Sequence, residues 1–419
     1  MNNLGFIEKL LDGVEVEWKA LDEISVKISS GGTPKTNIAE FYGGDVPWLR
    51  TQEVDFEEIW DTGVKITEAG VKNSSAKWIP ANCVIVAMYG ATVGKIGINK
   101  IPMTTNQACA NIELDAEIAD YRYVFHFLSS QYEYIKSLGA GSQTNINAGI
   151  VKKLSIPIPC PDNPKKSLEI QAEIVRILDA FTAMTTELTT ELTTELNLRQ
   201  QQYNYYRDQL LSFDEGNVKY LPMGQEGVGK FVRGSGLQKK DFTEVGVGCI
   251  HYGQIYTHYG TYANETLTFV SSDFAQKARK AQPGDLVIAT TSENDEDVCK
   301  AVAWLGGEEI AVSNDACIYK HNLNPKFVSY YFQTEQFQKQ KRQYITGTKV
   351  RRVNANNLAK ILIPIPALEE QARIVAILDK FDTLTTSLTE GLPREIELRQ
   401  QQYEYYRDLL LSFPKSEAA

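Results

Sequence analysis

Two stretches of the chain place apolar residues at the spacing of a long amphipathic helix. In the first stretch the apolar positions advance by four and three residues in turn, at Ile170, Ile174, Ile177, Phe181, Met184 and Leu188. The second stretch has the same spacing, at Ile374, Ile377, Phe381, Leu384 and Leu388. This heptad spacing is typical of coiled-coil helices. We therefore predict two long helices that pair with each other in antiparallel orientation.

The rest of the chain, about residues 19–160 and 230–366, alternates short β-rich runs with helical segments. The β-rich runs are bounded by Gly, Pro and Asn and include residues 84–88, 95–99 and 286–290. Helical segments follow near residues 121–138 and 325–343. This alternation predicts mixed α/β domains. The order of the strands does not follow from the pattern.

An internal duplication covers both helices. Residues 174–181 and 199–208 return in nearly the same form 200 positions later. An Ile-Pro-Ile-Pro linker precedes each helix, at residues 156–159 and 363–366. The pattern predicts an α/β protein in which two mixed α/β domains are separated by two long antiparallel coiled-coil helices, with internal pseudo-two-fold duplication. Because the helices are nearly identical and the domains are not, we expect the helices to share one role and the domains to differ.

A tandem four-residue repeat interrupts the heptads of the first helix. Thr-Thr-Glu-Leu occurs three times in succession, over residues 185–196. Each unit lengthens a helix by roughly 6 Å and shifts the apolar stripe around it. The second copy is degenerate and is followed by Pro393, which should kink or break that helix. A plain structural coiled coil with a slipped repeat explains the periodicity equally well.

The net charge of −10, from 43 basic and 53 acidic residues among 419, argues at first against a nucleic-acid partner. The charge is unevenly distributed, because residues 215–360 carry 18 basic and 15 acidic side chains, whereas residues 1–160 carry 14 and 19. The second domain is therefore mildly basic, and the acidity lies largely in the first domain and the helices. The net charge does not exclude DNA.

Other bulk features predict a cytoplasmic protein. The first residues lack the order of a signal peptide, and no run approaches about 18 apolar residues. The six cysteines form no Cys-x-x-Cys pair, and the four histidines have no companion ligand set. This usage predicts buried thiols in a reducing compartment and no metal site.

Several segments together resemble the conserved regions of type I restriction-modification specificity subunits. They are residues 10–15, Gly-Gly-Thr-Pro-Lys at 31–35, residues 46–49, residues 363–371, residues 374–381 and residues 399–413. The Thr-Thr-Glu-Leu triple resembles the spacer repeat of the subgroup whose target spacing changes with repeat number. The likeness covers the whole chain. The second domain matches the Gly-Gly-Thr-Pro signature of the first only in part, because it has Arg-Gly-Ser-Gly at residues 233–236. We therefore expect the two domains to read different sequences.

The resemblance implies a DNA-recognition subunit that is itself non-catalytic. The implied segments are an N-terminal conserved segment at residues 1–18, target-recognition domain 1 at 19–160, a central spacer helix at 161–213, a linker at 214–229, target-recognition domain 2 at 230–366, a C-terminal spacer helix at 367–413 and a tail at 414–419.

The resemblance also implies the partners. The two domains of such subunits read the halves of an asymmetric bipartite site in double-stranded DNA, and the helices fix the separation of the halves. The helices also dock two modification (methyltransferase) subunits, to which restriction or motor subunits add. S-adenosylmethionine, ATP and Mg²⁺ belong to these partners, so no cofactor is expected in this chain. We expect weak duplex binding by the isolated chain.

Candidate DNA contacts follow from the chemistry of base edges and phosphates. Base reading needs Arg, Lys, Asn, Gln or His on loops, and phosphate contacts need basic or amide donors. A basic cluster surrounds Gly347 and comprises Lys339, Lys341, Arg342, Lys349, Arg351 and Arg352. Its counterpart in the first domain is the polar loop at residues 141–147. The candidates are Lys35, Arg50, Gln52, Gln143, Asn145, Lys239, Lys240, His251, Gln254, Lys349, Arg351 and Arg352. An ordinary solvated side chain is the alternative for each.

The repeated tyrosine motif supplies candidate partner contacts. The residues expected on the helix seam are Tyr203, Tyr206, Tyr403 and Tyr406. The residues expected to face elsewhere are Tyr205, Arg207, Tyr405 and Arg407. An exposed aromatic beside an arginine is the composition of an interface hot spot. We predict that this second set docks modification subunits, with local helix packing as the alternative.

The sequence gives little support to catalysis. Residues 90–96 resemble a phosphate loop, but the spacing is one residue short and Ile96 replaces the Ser or Thr that would hold Mg²⁺. A glycine-rich turn is therefore favoured. The acidic residues 293–297 lack a following Glu-x-Lys and predict a solvated loop. The alternatives that remain are a coiled-coil scaffold without DNA binding, a nucleotide hydrolase, and a specificity subunit of a methylation-only complex.

Overall fold

The computed structural model describes residues 13–139, 145–214, 216–386 and 390–413. The chain divides into two compact units, one made of residues 1–189 and 398–419 and the other of residues 190–397. Each unit contains one mixed α/β domain together with segments of both long helices.

The first domain is built on two larger sheets and one strand pair. Its described strands are β1 (Val16–Ala20), β2 (Ser25–Ser30), β3 (Tyr42–Leu49), β4 (Glu58–Ile59), β5 (Lys65–Ile66), β6 (Trp78–Ile79), β7 (Val84–Ala87), β8 (Ile96–Asn99), β9 (Met103–Thr105), β10 (Cys109–Leu114) and β11 (Ser155–Pro159). The helices are α1 (Glu68–Lys72), α2 (Tyr121–Ser130), α3 (Tyr132–Ser137) and α4 (Ala148–Lys152), followed by the long helix α5 (Pro164–Leu210). The larger sheets have the orders β2-β10-β7-β8-β4 and β5-β3-β9-β6.

The core of the first domain lies between the five-stranded sheet and α2. All four residues of β7 are buried, as a continuous apolar run at the centre of a sheet requires. Asp120 begins α2 by accepting hydrogen bonds from the backbone N–H groups of Arg122 and Tyr123. The strands predicted near 84–88 and 95–99 are confirmed. The helix predicted near 121–138 is confirmed as two helices that meet at Gln131.

The second domain repeats this plan. Its described strands are β12 (Lys219–Pro222), β13 (Gly229–Arg233), β14 (Phe242–Thr243), β15 (Val247–Ile250), β16 (Tyr262–Ala263), β17 (Thr268–Val270), β18 (Lys280–Ala281), β19 (Leu286–Ala289), β20 (Thr291–Ser292), β21 (Ala301–Trp304), β22 (Ile310–Val312), β23 (Ala316–His321), β24 (Arg351–Arg352) and β25 (Leu362–Ile365). Its helices are α6 (Tyr252–Thr257), α7 (Ser272–Lys277), α8 (Pro325–Phe332), α9 (Glu335–Arg342) and α10 (Ala355–Leu358). The last two helices of the chain are α11 (Leu368–Thr386) and α12 (Leu392–Leu410).

The central sheets of the two domains correspond strand for strand. The second domain has the order β13-β23-β19-β21-β16, which matches β2-β10-β7-β8-β4 of the first. In both sheets the edge strand with parallel pairing lies at the same end, β4 beside β8 and β16 beside β21. The duplication found in the helices therefore extends to the domains, and the predicted fold class is confirmed.

The Ile-Pro-Ile-Pro segments are strands, and their interpretation as linkers was wrong. Strand β11 pairs antiparallel with β1, and β25 pairs antiparallel with β12. The isoleucines point inward, with Ile156 and Ile363 fully buried. Proline has no backbone N–H, but each of these strands has only one neighbour, so the loss of a donor is tolerated.

The long helices pair within each unit. Helix α5 is continuous over 47 residues, or roughly 70 Å at 1.5 Å per residue. In the first unit the Phe181 ring lies 6.0 Å from the Tyr406 ring, and the Thr182 hydroxyl lies 3.0 Å from that of Tyr403. The partner number falls as the α5 number rises, so the pairing is antiparallel, as predicted.

The apolar stripe of α5 is shared between the helix pair and the first domain, which the predicted seam did not anticipate. Ile174 and Leu178 are buried in the core of the first domain. Met184 is 66% exposed and Leu188 is 36% exposed. Both residues belong to the heptad stripe, so the expectation that this stripe is covered by a partner was wrong at Met184 and Leu188.

The second long helix is interrupted, as Pro393 predicted. Helix α11 ends at Thr386 and α12 begins at Leu392. Gly391 has φ of +81°, a conformation that favours glycine. Proline is tolerated in the first turn of α12, where its missing N–H would have no partner within the helix. Leu388 lies outside the described residues.

The phosphate-loop alternative has no structural support. Residues 90–94 form a turn between β7 and β8, and β8 rather than a helix follows. Gly90 and Gly94 both have positive φ, as a tight turn requires. Within the described ranges no cluster of His, Cys, Asp and Glu could hold a metal ion, and no helix is long and apolar enough to span a bilayer.

A glycine follows the first strand of each central sheet because the backbone approaches closely there. A Cβ atom on Gly31 would lie 1.9 Å from the carbonyl oxygen of Thr105, and one on Gly234 would lie 2.0 Å from that of Ser313. These glycines are thus structural counterparts, although the surrounding sequence is only half kept.

Gly234→Ala is expected to lower the free energy of unfolding of the second unit by about 2 kcal/mol, because the methyl group collides with backbone. Gly236→Ala is the matched control, since a Cβ there meets no atom within 4 Å. Urea denaturation of both variants measures the difference. Equal stability of the two variants would contradict the close approach.

Candidate nucleic-acid interface

One loop in each domain returns to the end of a central strand in the same way. In the first domain the backbone N–H of Ile146 donates to the carbonyl of Met88 at 3.0 Å. In the second domain the N–H of Val353 donates to the carbonyl of Thr290 at 3.1 Å. The residues immediately before these donors, at positions 145 and 352, therefore hold equivalent places.

An asparagine follows each of these donors and caps a short helix. The Asn147 side chain accepts from the N–H of Ile150 at 3.1 Å, and the Asn354 side chain accepts from the N–H of Asn357 at 2.9 Å. Asn145 and Arg352, which differ in chemistry, thus each lie two residues before a capping asparagine. This geometry supports the predicted correspondence between the two loops.

The predicted DNA-contact residues differ in exposure. The exposed ones are Lys35, Gln52, Lys239, Lys240, Lys349 and Arg352. The partly buried ones are Arg50, Asn145, His251, Gln254 and Arg351. Gln143 lies outside the described residues. No observation on the described part of the chain assigns any of them to DNA, so their role remains a proposal.

The basic cluster around Gly347 is not a single surface. Lys341 is fully buried, and its Nζ donates to the carbonyls of Glu296 at 2.9 Å and Val298 at 2.8 Å. Burial lowers the pKa of Lys341. Arg351 is paired with Asp295 at 2.8 Å. Lys341 therefore supports the fold, and the expectation that it belongs to a DNA-facing cluster was wrong.

His251 and Gln254 hold the start of α6. The N–H of His251 donates to Gln254 Oε1 at 2.9 Å, and the N–H of Gly253 donates to His251 Nδ1 at 3.3 Å. Burial, followed by the charge of Lys239, lowers the pKa of His251. These two predicted residues and Lys239 are thus close together, and their polar atoms are partly used by local structure.

In the first domain, Arg50 is similarly engaged. Its Nε donates to Glu53 Oε1 at 3.1 Å, and Glu53 also accepts from the N–H of Gly63 at 2.6 Å. Lys35 is exposed, and Gln52 is exposed in the short 3-10 helix Thr51–Glu53. Of these residues, Arg50 has the most fixed orientation.

A cavity of about 290 Å³ adjoins the equivalent loop of the second domain. Its polar lining includes Arg233, Thr291, Asn314, Asp315 and Arg352. Arg233 was not predicted as a site residue. It lies in the segment 233–236, where the sequence of the second domain differs from the Gly-Gly-Thr-Pro signature of the first. This difference was the sequence signal that could have identified Arg233 as a candidate.

The predicted partner-binding residues separate into two kinds. Tyr205 is 62% exposed and Tyr405 is 61% exposed. Arg207 is buried, with its guanidinium held by Asn204 and over the Tyr203 ring, so the prediction of an exposed arginine there was wrong. Arg407 is partly buried over the Tyr403 ring. Docking by these residues stays a proposal.

A cluster that the sequence did not suggest fastens the first domain to α5. Asp179 Oδ1 lies 2.8 Å from His126 Nε2 and 2.8 Å from Arg122 Nη2, and Arg122 also contacts Glu58. Burial opposes the ionisation of Asp179, but the hydrogen bonds from His126 and Arg122 outweigh it and lower its pKa to about 2. Asp179 is therefore a permanently charged acceptor at neutral pH.

The second domain is fastened to α11 at the equivalent place with different side chains. Lys326 Nζ lies 2.8 Å from Asp379 Oδ2 and 3.7 Å from the centre of the Tyr262 ring. The Tyr330 hydroxyl donates to Asp379 Oδ1 at 2.7 Å. Burial, and then the hydrogen bond with Asp379, raise the pKa of Tyr330.

A buried glutamine completes each attachment. Gln171 accepts from the N–H of Asp120 at 2.8 Å, and Gln371 accepts from the N–H of Asn324 at 2.8 Å. Both glutamines are almost fully buried. We call each set of Gln and Asp contacts the domain clamp. Polar residues that recur inside both copies of the apolar stripe were the sequence signal for it.

The chain thus contains two copies of one α/β domain plan, each attached to a long helix by a domain clamp. The family described as type I restriction modification DNA specificity domain matches residues 13–198 and 222–398. A type I restriction enzyme specificity subunit of Escherichia coli is 34% identical over 425 residues, covering 100% of this chain and 99% of that subunit. The EcoprrI specificity subunit, also of Escherichia coli, is 33% identical over 401 residues, with 93% of each chain covered.

Solved structures share the fold. A chain from a structural study of complex assembly and conformational transition of the type I R-M system has a TM-score of 0.69 at 16% identity, covering 94% of this chain and 97% of that chain. The HsdS subunit from Thermoanaerobacter tengcongensis has a TM-score of 0.51 at 15% identity, covering 94% and 95%. The chain thus belongs to the family of type I restriction-modification DNA specificity subunits.

Proposed function

We propose that this chain selects the DNA target of a type I restriction-modification complex, with each α/β domain reading one half of an asymmetric bipartite site. The observation that carries the proposal is one frame used twice with different side chains at matched places. Positions 145 and 352 each lie one residue before the donor of the same backbone hydrogen bond, and they carry Asn in one domain and Arg in the other. A repeated backbone arrangement that carries different side chains at equivalent positions is consistent with two domains that recognise different half-sequences.

In this proposal the long helices set the distance between the half-sites and dock two modification subunits. The continuous α5 contains residues of both units, including the Thr-Thr-Glu-Leu repeats. Tyr205 and Tyr405 are exposed at equivalent places of the duplicated helices and suit two copies of one partner. Restriction or motor subunits join through the modification subunits, and these partners supply catalysis and its cofactors.

The proposed segments keep the boundaries given by the sequence, with recognition domains at residues 19–160 and 230–366. The clamps support this division, because each domain contacts its helix through a compact set of side chains. The weakly basic second domain and the acidic first domain suggest that the isolated chain binds duplex DNA weakly. The assembled complex then supplies most of the phosphate contacts.

Exchange of residues 230–360 for those of another family member tests the proposal. Methylome sequencing of cells with the complete complex is expected to show a new second half-site, with the first half-site and the spacing unchanged. Exchange of residues 19–160 is the reciprocal control and should change the first half-site only. A change in both half-sites after one exchange would contradict modular reading, and a parent complex without a defined target would contradict the function.

A further inference from the structure

Arg352 is presented by a backbone that is fixed on both sides. Its N–H and C=O exchange hydrogen bonds of 2.9 Å with Thr346, and β24 pairs it with Thr291 of β20. The side chain itself is exposed and makes no hydrogen bond or ion pair with any residue that the structure describes. A fixed backbone with an uncommitted guanidinium is a pre-organised donor.

The neighbouring arginine has the opposite arrangement. The Arg351 guanidinium lies 2.8 Å from Asp295 and donates to the carbonyl of Gly347 at 2.6 Å. Successive residues of a strand point to opposite sides, so Arg351 is committed to the protein while Arg352 lines the cavity of about 290 Å³. Arg351 therefore has part of its guanidinium committed to the protein, whereas the guanidinium donors of Arg352 have no partner among the described residues.

Further positive charge lies beside Arg352. Arg233 lines the same cavity, and its Nε donates to the carbonyl of Asn314 at 3.0 Å. Arg279 donates to the carbonyl of Arg233 at 2.8 Å. Asp315 also lines the cavity, but the described residues include no ion pair for Arg233, Arg279 or Arg352. This unneutralised charge favours a ligand rich in acceptors, as DNA is.

The difference between positions 145 and 352 favours a base contact over a phosphate contact for Arg352. Phosphates are the same in every DNA sequence, so phosphate contacts give no reason for equivalent positions to differ between domains. Arginine matches the O6 and N7 acceptors of guanine, and asparagine matches N6 and N7 of adenine. Position 145 carries Asn and position 352 carries Arg, on the same backbone frame.

We propose that positions 145 and 352 are the equivalent base-reading positions of the two domains, with Asn145 directed at adenine and Arg352 at guanine. This inference rests on the proposed function and assigns specificity-determining residues within it. The asparagine caps of α4 and α10 hold the readers in place. The two half-sites therefore differ at the base pair that each of these residues contacts.

The test is methylome sequencing of cells that carry the complete complex with the parent chain, Arg352→Asn, Arg352→Lys or Asn145→Arg. Arg352→Asn is expected to reduce discrimination at one base pair of the second half-site by roughly 5- to 150-fold. Asn145→Arg is expected to change one base pair of the first half-site. Arg373→Gln is the control, because it removes the same charge from an exposed place on α11 and should leave the target unchanged.

Each outcome decides between the base-reading assignment and an alternative. Unchanged discrimination in Arg352→Asn, beside a parent complex with a defined target, would overturn the base-reading assignment alone. Uniformly weaker methylation of an unchanged target, with a salt slope lower by about one, would make Arg352 a phosphate contact and also overturn it. A parent complex without a defined target would instead overturn the proposed function. If Arg352→Asn melts at a lower temperature, Arg352→Lys decides, because it keeps the charge and loses the paired donors.

Discussion

Deletion of residues 189–192, one Thr-Thr-Glu-Leu unit, is expected to change the spacing of the methylated target while both half-sequences stay the same. The unit lies within the continuous helix α5, so its loss shortens the helix by roughly 6 Å, which is one to two base-pair rises. Four residues exceed one helical turn by roughly 40°, so the remaining apolar stripe keeps nearly the same direction. Methylome sequencing reads the spacing directly.

The deletion should not unfold the protein, because the repeat contributes little to either core. None of the residues 185–196 is buried. Replacement of the same four residues by Ala-Ala-Glu-Leu is the control, since it alters the sequence and keeps the length. Deletion of eight residues should change the spacing further in the same direction. Unchanged spacing after both deletions would mean that the repeat does not measure the target.

The heptad periodicity of the long helices predicted some features of their packing and not others. The heptads correctly predicted the two helical stretches, and the alternation of helices with globular domains correctly predicted their antiparallel pairing. They did not predict that Ile174 and Leu178 pack into the first domain, because a periodic stripe gives the direction of an apolar face but not the surface that covers it. The exposed Met184 lies beyond that covering surface.

Helix geometry also explains two errors in the predicted site residues. Residues two apart on a helix do not share a face, so Tyr205 is exposed while Arg207 is buried. Residues four apart do share a face, and Lys341 follows the fully buried Phe337 by four positions in α9. Grouping charged residues by their closeness in sequence concealed both facts.

The domain-side partners of the domain clamps could not be predicted from the sequence for a different reason. Asp179 and Asp379 recur in the duplicated helices, but their partners come from other elements and differ between domains. His126 and Arg122 serve one aspartate, whereas Tyr330 and a lysine serve the other. The helix side of the contact is therefore the same in both units, whereas the domain side differs.

Gln171→Ala and Gln371→Ala are each expected to lower the free energy of unfolding of one unit by about 3 kcal/mol. The first substitution leaves the N–H of Asp120 and the carbonyl of Ile118 without their partner in a partly buried place. The second does the same to the N–H of Asn324. A buried polar group without a hydrogen bond costs about 1–3 kcal/mol, and the vacated volume adds to this cost.

Hydrogen exchange separates this loss from a general weakening of the chain. The amide of residue 120 should lose protection in Gln171→Ala and the amide of residue 324 in Gln371→Ala, with the other amide unchanged in each case. Gln402→Ala and Gln202→Ala are matched controls, because these glutamines are exposed on the long helices of the same two units and should alter stability by less than about 0.5 kcal/mol. In the assembled complex each buried-site variant should weaken recognition of its own half-site only. Equal effects on both half-sites would show that the glutamines support the helices in general and do not position individual domains.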